Sequence, residues 1–126
     1  MTAAEATVKD GGVIIMLSSC TDGTGGDFFY HIIADEPDIE TAYQKFLATP
    51  QEETAPDQWC SQILARIARR YKVIFVAEPE QQEMIEGLML TYAPNLAAAY
   101  RMAREIKGEG ASLTCIPNGI SVVVRE

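Results

Sequence analysis

The chain has 126 residues, 48% hydrophobic and 22% charged. Those values fit one globular domain, residues 1–126, large enough to bury a core. A net charge of −8 and a pI near 4.6 argue against broad contact with nucleic acid or an anionic membrane surface. No apolar run approaches a bilayer span, and the opening residues lack the basic-then-apolar form of a signal peptide, so a cytoplasmic protein is expected.

Ala3-Ala4-Glu5-Ala6-Thr7-Val8-Lys9 reads as the last turns of a helix running into a Gly11-Gly12 stop. A domain seldom begins on half a helix, so a larger N-terminal region is expected before Met1. Val13-Ile14-Ile15-Met16-Leu17 follows, apolar throughout and without polar alternation. Such a strand needs both faces covered, as at the centre of a parallel sheet. The glycine-dense loop Ser18-Ser19-Cys20-Thr21-Asp22-Gly23-Thr24-Gly25-Gly26-Asp27 comes next. Loops at the carboxyl ends of such strands are where ligands bind in open α/β sheets.

A short helix is predicted over 28–34, ended by Asp35-Glu36-Pro37. Asp38 caps a second over 39–48, with Ile39, Ala42, Tyr43, Phe46 and Leu47 on one stripe. Thr54-Ala55-Pro56-Asp57 places a capping Thr, an early Pro and an acid at the start of a third helix, running to about Tyr71. Its apolar face carries Trp59, Ile63, Leu64, Ile67 and Tyr71. Gln62, Arg66, Arg69 and Arg70 face away, the arginines near its end suiting the helix dipole.

Residues 73–77 form a second buried strand, stopped by Glu78-Pro79. A helix is predicted over 81–88, a short edge strand over 89–92, and a helix over 96–107 capped by Asn95 and closed by Gly108. Residues 113–116 and 120–124, joined by Pro117-Asn118-Gly119, read as an antiparallel hairpin. The fold class is α/β: a three-layer α/β/α sandwich with a small, mostly parallel sheet and an antiparallel C-terminal hairpin.

Few residues carry an obvious chemistry. Thr21, Asp22, Gly23, Thr24, Gly25 and Gly26 precede a helix and could cradle a small anion with backbone amides. The loop lacks both the Walker and the dinucleotide-binding spacing, and Asp22 and Asp27 oppose an anion, so a structural tight loop is the stronger reading. His31 is the only histidine and is read as a packed core or rim residue. Cys20, Cys60 and Cys115 form no zinc pattern and read as reduced, buried thiols, with Cys20 alone a candidate for reactivity. Trp59, the sole tryptophan, sits in a first turn that often faces a cleft, yet its spacing favours the core. No metal-binding residue and no catalytic residue is assigned. A binding or regulatory module that holds a small anion in loop 21–27, and a purely structural domain, both stay open on residues alone.

The ordered set GGVIIMLSSCTDGTGGDFFYH, PDQW followed by SQILARI, KVIFVAE, LTYAPNL and IPNGISVVV resembles the C-terminal domain of nickel-dependent lactate racemases and related 2-hydroxyacid racemases. The resemblance covers residues 3–124 in the same order. It implies hydride transfer: a nickel pincer nucleotide, tethered to a lysine, takes hydride from C2 of a 2-hydroxyacid while one of two histidines removes the hydroxyl proton. The 2-oxoacid then receives hydride back on either face. The resemblance places the tethering lysine, the nickel ligand and both histidines in an N-terminal catalytic domain outside this sequence. That domain is thus the expected partner, beside a small 2-hydroxyacid substrate, and this domain alone is expected to be inert. By resemblance Trp59 of PDQW lines the substrate side of the interdomain cleft. That the glycine loop faces the same cleft is an inference from the fold class.

Overall fold

Three strands organise the chain, and the computed structural model describes residues 1–124. β1 (Val13–Leu17), β2 (Lys72–Val76) and β3 (Thr91–Ala93) form one parallel sheet in the order β1-β2-β3. Val13 lies opposite Lys72 and Leu17 opposite Val76, while Ile74 lies opposite Thr91 and Val76 opposite Ala93. Side chains of a strand alternate between faces, and here the alternation sorts them into two cores. Ile14, Met16, Val73, Phe75 and Tyr92 join the larger one. Val13, Ile15, Ile74, Val76 and Ala93 join the smaller.

The larger core lies under five helices: α1 (Thr2–Glu5), α2 (Asp27–Ala34), α3 (Ile39–Ala48), α4 (Gln58–Ala68) and α5 (Gln82–Gly87). Ile33, Ala42, Phe46, Leu64, Ile67 and Ile85 are its buried contributors. The opposite face is covered by α6 (Leu96–Lys107) through Ala98, Ala99, Met102 and Ala103. Small residues there let the helix sit close on the strands. These are the three layers expected.

Local chemistry explains the element ends that match expectation. Asp38 accepts the Thr41 N–H at 2.7 Å to start α3, and Asn95 accepts the Ala98 N–H at 2.8 Å to start α6. Arg69 pairs with both carboxylate oxygens of Glu40, at 2.6 and 3.0 Å, and lies over the Tyr43 ring. Arg66 grips Glu5 in the same two-pronged way, at 3.1 and 2.6 Å, fastening α1 to α4.

Several expectations differ from the structure, among them the interior place of β1, which is an edge strand of the order β1-β2-β3. Thr54 does not cap α4: a 3-10 turn at Gln51–Glu53 turns its hydroxyl back onto the Pro50 carbonyl at 3.3 Å. Asp57, at φ 61°, stands at the cap instead, and α4 ends at Ala68 rather than near Tyr71. The edge strand is Thr91–Ala93, two residues later than read, because Met89 takes φ 60° before it. The 81–88 helix is split into a 3-10 turn, Pro79–Gln81, and α5. The antiparallel C-terminal hairpin is not confirmed. The Ser121 N–H does reach the Asn118 carbonyl at 2.9 Å, yet neither 113–116 nor 120–124 is a strand among the described residues. Two strands without a third neighbour or a covering helix gain too little to hold together in water.

Two predictions follow from this packing. A Cβ on Gly87 would lie 2.0 Å from the Tyr30 hydroxyl and 2.8 Å from its Cζ. Gly87→Ala should therefore cost about 1–3 kcal/mol in a denaturant melt, as overpacking does. The loss should shrink in a Tyr30→Ala background, which a double-mutant cycle reads directly. The second concerns acid. The Thr41 N–H holds the Asp38 carboxyl below its ordinary value. A lowered carboxylate adds stability above its unfolded value and loses it as pH falls through the folded value. The stability gap between the native chain and Asp38→Ala should thus be full at neutral pH. It should narrow as pH drops below about 4, the ordinary aspartate value.

Candidate functional site

All three strands are parallel, so their carboxyl ends lie on one side of the molecule, and the glycine loop follows the end of β1 there. Leu17 ends β1 with 58% of its surface exposed. The Ser18 N–H still reaches the Val76 carbonyl at 3.2 Å, after which the chain leaves the sheet. A turn then closes from the Gly23 N–H to the Cys20 carbonyl at 2.9 Å, with Gly23 at φ 66° where a side chain would be strained. The Thr24 hydroxyl donates to the Gly26 carbonyl at 3.0 Å. The loop is held by its own short bonds.

A Cβ built on Gly23, Gly25 or Gly26 would meet nothing within 4 Å. These glycines answer to backbone shape and open space rather than to a close neighbour in this chain. Thr21, Asp22, Gly23, Gly25 and Gly26 are exposed and Thr24 is half-buried. Asp22 and Asp27 bracket the loop with negative charge, which opposes a bound anion.

Trp59 stands in the first turn of α4. The buried face of that helix is carried by Gln58, Ser61, Leu64, Ala65 and Ile67. Trp59 lies outside that face and is 61% exposed. The spacing argument for a core tryptophan is corrected by one position: Gln58, not Trp59, turns inward at the helix start. Gln58 is held there by the Ala55 N–H, which donates to its Oε1 at 3.3 Å. Its Nε2 and the Ser61 Oγ are buried without a partner among the described residues.

Beside Trp59 is a cleft of about 270 Å³ lined by Met1, Thr2, Phe29, Trp59, Cys60, Ile63 and Leu64. No lining side chain is charged. The structure thus brings Trp59 together with Phe29 of α2, and the glycine loop, one turn before Phe29, does not line that cleft. Sequence reasoning missed Phe29 and Cys60. The signal for Phe29 was its place just after a loop at a strand's carboxyl end.

The remaining candidates fall elsewhere. His31 is exposed on α2, not in the core, and pairs with Asp35 at 3.2 Å. Cys20 and Cys60 are half-buried and Cys115 is exposed, so the reading of three buried thiols is corrected. No three His, Cys, Asp or Glu side chains converge as a metal would require among the described residues. A second, larger hollow of about 610 Å³ lies between α2 and α5, lined by Tyr30, Pro79, Glu80, Gln82, Glu83, Glu86 and Gly87. No helix among the described residues is long and apolar enough to cross a membrane.

Comparison with known proteins places this geometry. Residues 1–124 match the model of the lactate racemase C-terminal domain. The chain is 42% identical over 126 residues to lactate racemase of Thermoanaerobacterium thermosaccharolyticum, covering 100% of this chain and 30% of that protein. It is 42% identical over 125 residues to lactate racemase of Lactiplantibacillus plantarum, covering 99% of this chain and 30% of that protein. The solved lactate racemase apoprotein from T. thermosaccharolyticum superposes with a TM-score of 0.96 at 42% identity, over 100% of this chain and 30% of that one. The chain thus spans about 30% of the length of the relatives it matches.

An exposed first-turn tryptophan contributes little to folding. Trp59→Ala should cost this domain less than about 1.5 kcal/mol, against roughly 3–5 kcal/mol for a core tryptophan. Urea melts of the two proteins decide between them.

Proposed function

This chain belongs to the lactate racemase C-terminal domain family, and on that premise we propose that it forms one wall of the substrate cleft of a 2-hydroxyacid racemase or epimerase. The supporting observation is Trp59, 61% exposed beside a cleft between α1, α2 and α4 that no charged side chain lines. A large apolar ring turned to solvent is costly unless something covers it. In this reading the cover is the substrate and the N-terminal catalytic domain. The indole then excludes water from the carbon that changes configuration and presses the hydroxyacid toward the catalytic groups.

The chemistry proposed for the whole enzyme is hydride transfer with a nickel pincer nucleotide, as the resemblance implies. The described residues of this chain do not fit a nickel site. Nickel favours imidazole, thiolate or carboxylate donors brought together, whereas the single histidine is paired with Asp35 and no donor cluster forms. The metal and its tether therefore belong to the other part of the enzyme in this proposal. What this domain supplies is shape and dryness.

The test uses a polypeptide that spans the full length of the relatives, with this chain as its C-terminal domain. Incubated with D- or L-lactate, it should interconvert the two. Trp59→Ala should lower kcat/KM about a hundredfold, worth about 2.7 kcal/mol of transition-state stabilisation, while the melting temperature barely moves. Trp59→Phe should restore part of the loss. Unchanged turnover in Trp59→Ala would remove the tryptophan from the site. Failure to racemise lactate or any other 2-hydroxyacid would remove the function.

A further inference from the structure

Three unfavourable features meet at the start of α4. Asp57 takes φ 61°, a region that a residue with a Cβ enters only under constraint, and its side chain makes no cap bond to the helix it begins. Gln58 is only 4% exposed, and its Nε2 has no partner among the described residues, so a desolvated donor is left unmet. Trp59 beside it turns a large apolar ring to solvent. A methionine at position 58 would fill the same space with no unmet donor. Burial alone therefore does not account for a glutamine there.

The bonds around Gln58 do account for it. Its Oε1 accepts the Ala55 N–H at 3.3 Å, and its own N–H donates to the Ala55 carbonyl, also at 3.3 Å. This two-way clasp closes residues 55–58 into one turn. The clasp spans Asp57 and so holds it at its positive φ. The Cys60 N–H then donates to the Asp57 carbonyl at 2.9 Å and begins the helix. Ser61, fully buried one turn on, shares the inward face with Gln58. Trp59 lies about 100° round the helix from Gln58. With Gln58 pinned inward, the indole is aimed sideways, into the cleft it shares with Phe29. Among side chains of this length glutamine alone ends in an uncharged carbonyl oxygen, which is what the clasp needs.

We propose that Gln58 is a positioning residue for Trp59: its clasp on Ala55 fixes the helix start, and with it the angle at which the indole meets the substrate. Being buried, Gln58 acts only through its neighbour. The inference rests on the reading of Trp59 as a wall of the substrate cleft, and adds that the wall is set before the substrate arrives. A preset group exerts its effect in the transition state more than in binding, so kcat rather than KM should respond to its loss.

Trp59 is the sole tryptophan of the 126-residue chain, so fluorescence reads the indole directly. Gln58→Met keeps the bulk and removes the acceptor. Ala55→Pro removes the donor from the other side, and Thr54 before it is already extended, at φ −67° and ψ 123°, as a residue preceding proline should be. Each folded variant should lose indole anisotropy relative to the native chain, and unchanged anisotropy in either overturns the proposal, even where melting shifts. In a polypeptide spanning the full length of the relatives, Gln58→Met should lower kcat about tenfold with KM little changed. In a Trp59→Ala background it should lower kcat no further. An equal loss in both backgrounds overturns the proposal, because Gln58 then acts without the indole. Turnover unchanged in Trp59→Ala alone defeats the cleft reading instead, and the anisotropy then decides by itself whether Gln58 holds the ring.

Discussion

The constraint on which everything else depends is a parallel sheet of three strands. Parallel ladders must be covered on both faces, and three strands offer little width for doing it. Here β2 runs down the middle with Val73 and Ile74 each fully buried but on opposite faces. One face is met by a layer of five helices and the other by α6 alone. This asymmetry follows from the chain's course. The long connection between β1 and β2 carries α2, α3 and α4, whereas only α6 follows β3. On the five-helix side, Trp59 and Phe29 wall a cleft between α1, α2 and α4.

The parts of the fold legible in sequence are those where local chemistry and long-range packing agree. β1 and β2 show as unbroken apolar runs and pair in parallel as expected, but only β2 is central; β1, expected in the sheet interior, is an edge strand. α3 and α6 are read to the residue because Asp38 and Asn95 cap them and each carries an apolar stripe. The start of α4 was not legible. Thr54 has the right residues after it, but the preceding Gln51–Glu53 turn captures its hydroxyl, and no spacing rule sees that turn. The hairpin, expected from an equally clear local signal, is not confirmed among the described residues. The Asn118–Ser121 turn forms, yet among the described residues no third element packs the two segments into a ladder.

The site shows the same division. Helical periodicity assigned Trp59 to the core because Trp59, Ile63 and Ile67 share a stripe by spacing. In the fold, Gln58 and Ser61 occupy the inward positions of the first turns, an arrangement hydrophobicity scales do not anticipate. Two buried polar residues at a helix start displaced the aromatic one outward. The glycine loop was found correctly as the feature at the end of β1. Its spatial separation from the Trp59 cleft was not readable, because the helix that follows it decides which residue, Phe29, reaches the cleft.

Charge then divides the labour in the proposed enzyme. A 2-hydroxyacid is an anion at neutral pH, while this domain has net charge −8 and no charged side chain lines its cleft. Asp22 and Asp27 stand on the neighbouring loop, and the domain's arginines at 66, 69 and 70 are paired with Glu5, Glu40 and Asp10. A carboxylate moved from water against such a surface loses hydration and gains no counter-charge. Under the proposed function, the cations holding the carboxylate would lie across the cleft, in the other part of the polypeptide. That arrangement suits the apolar character of the Trp59 wall. In the proposed enzyme the substrate would then turn its charged end away from this domain and rest its carbon framework against the indole.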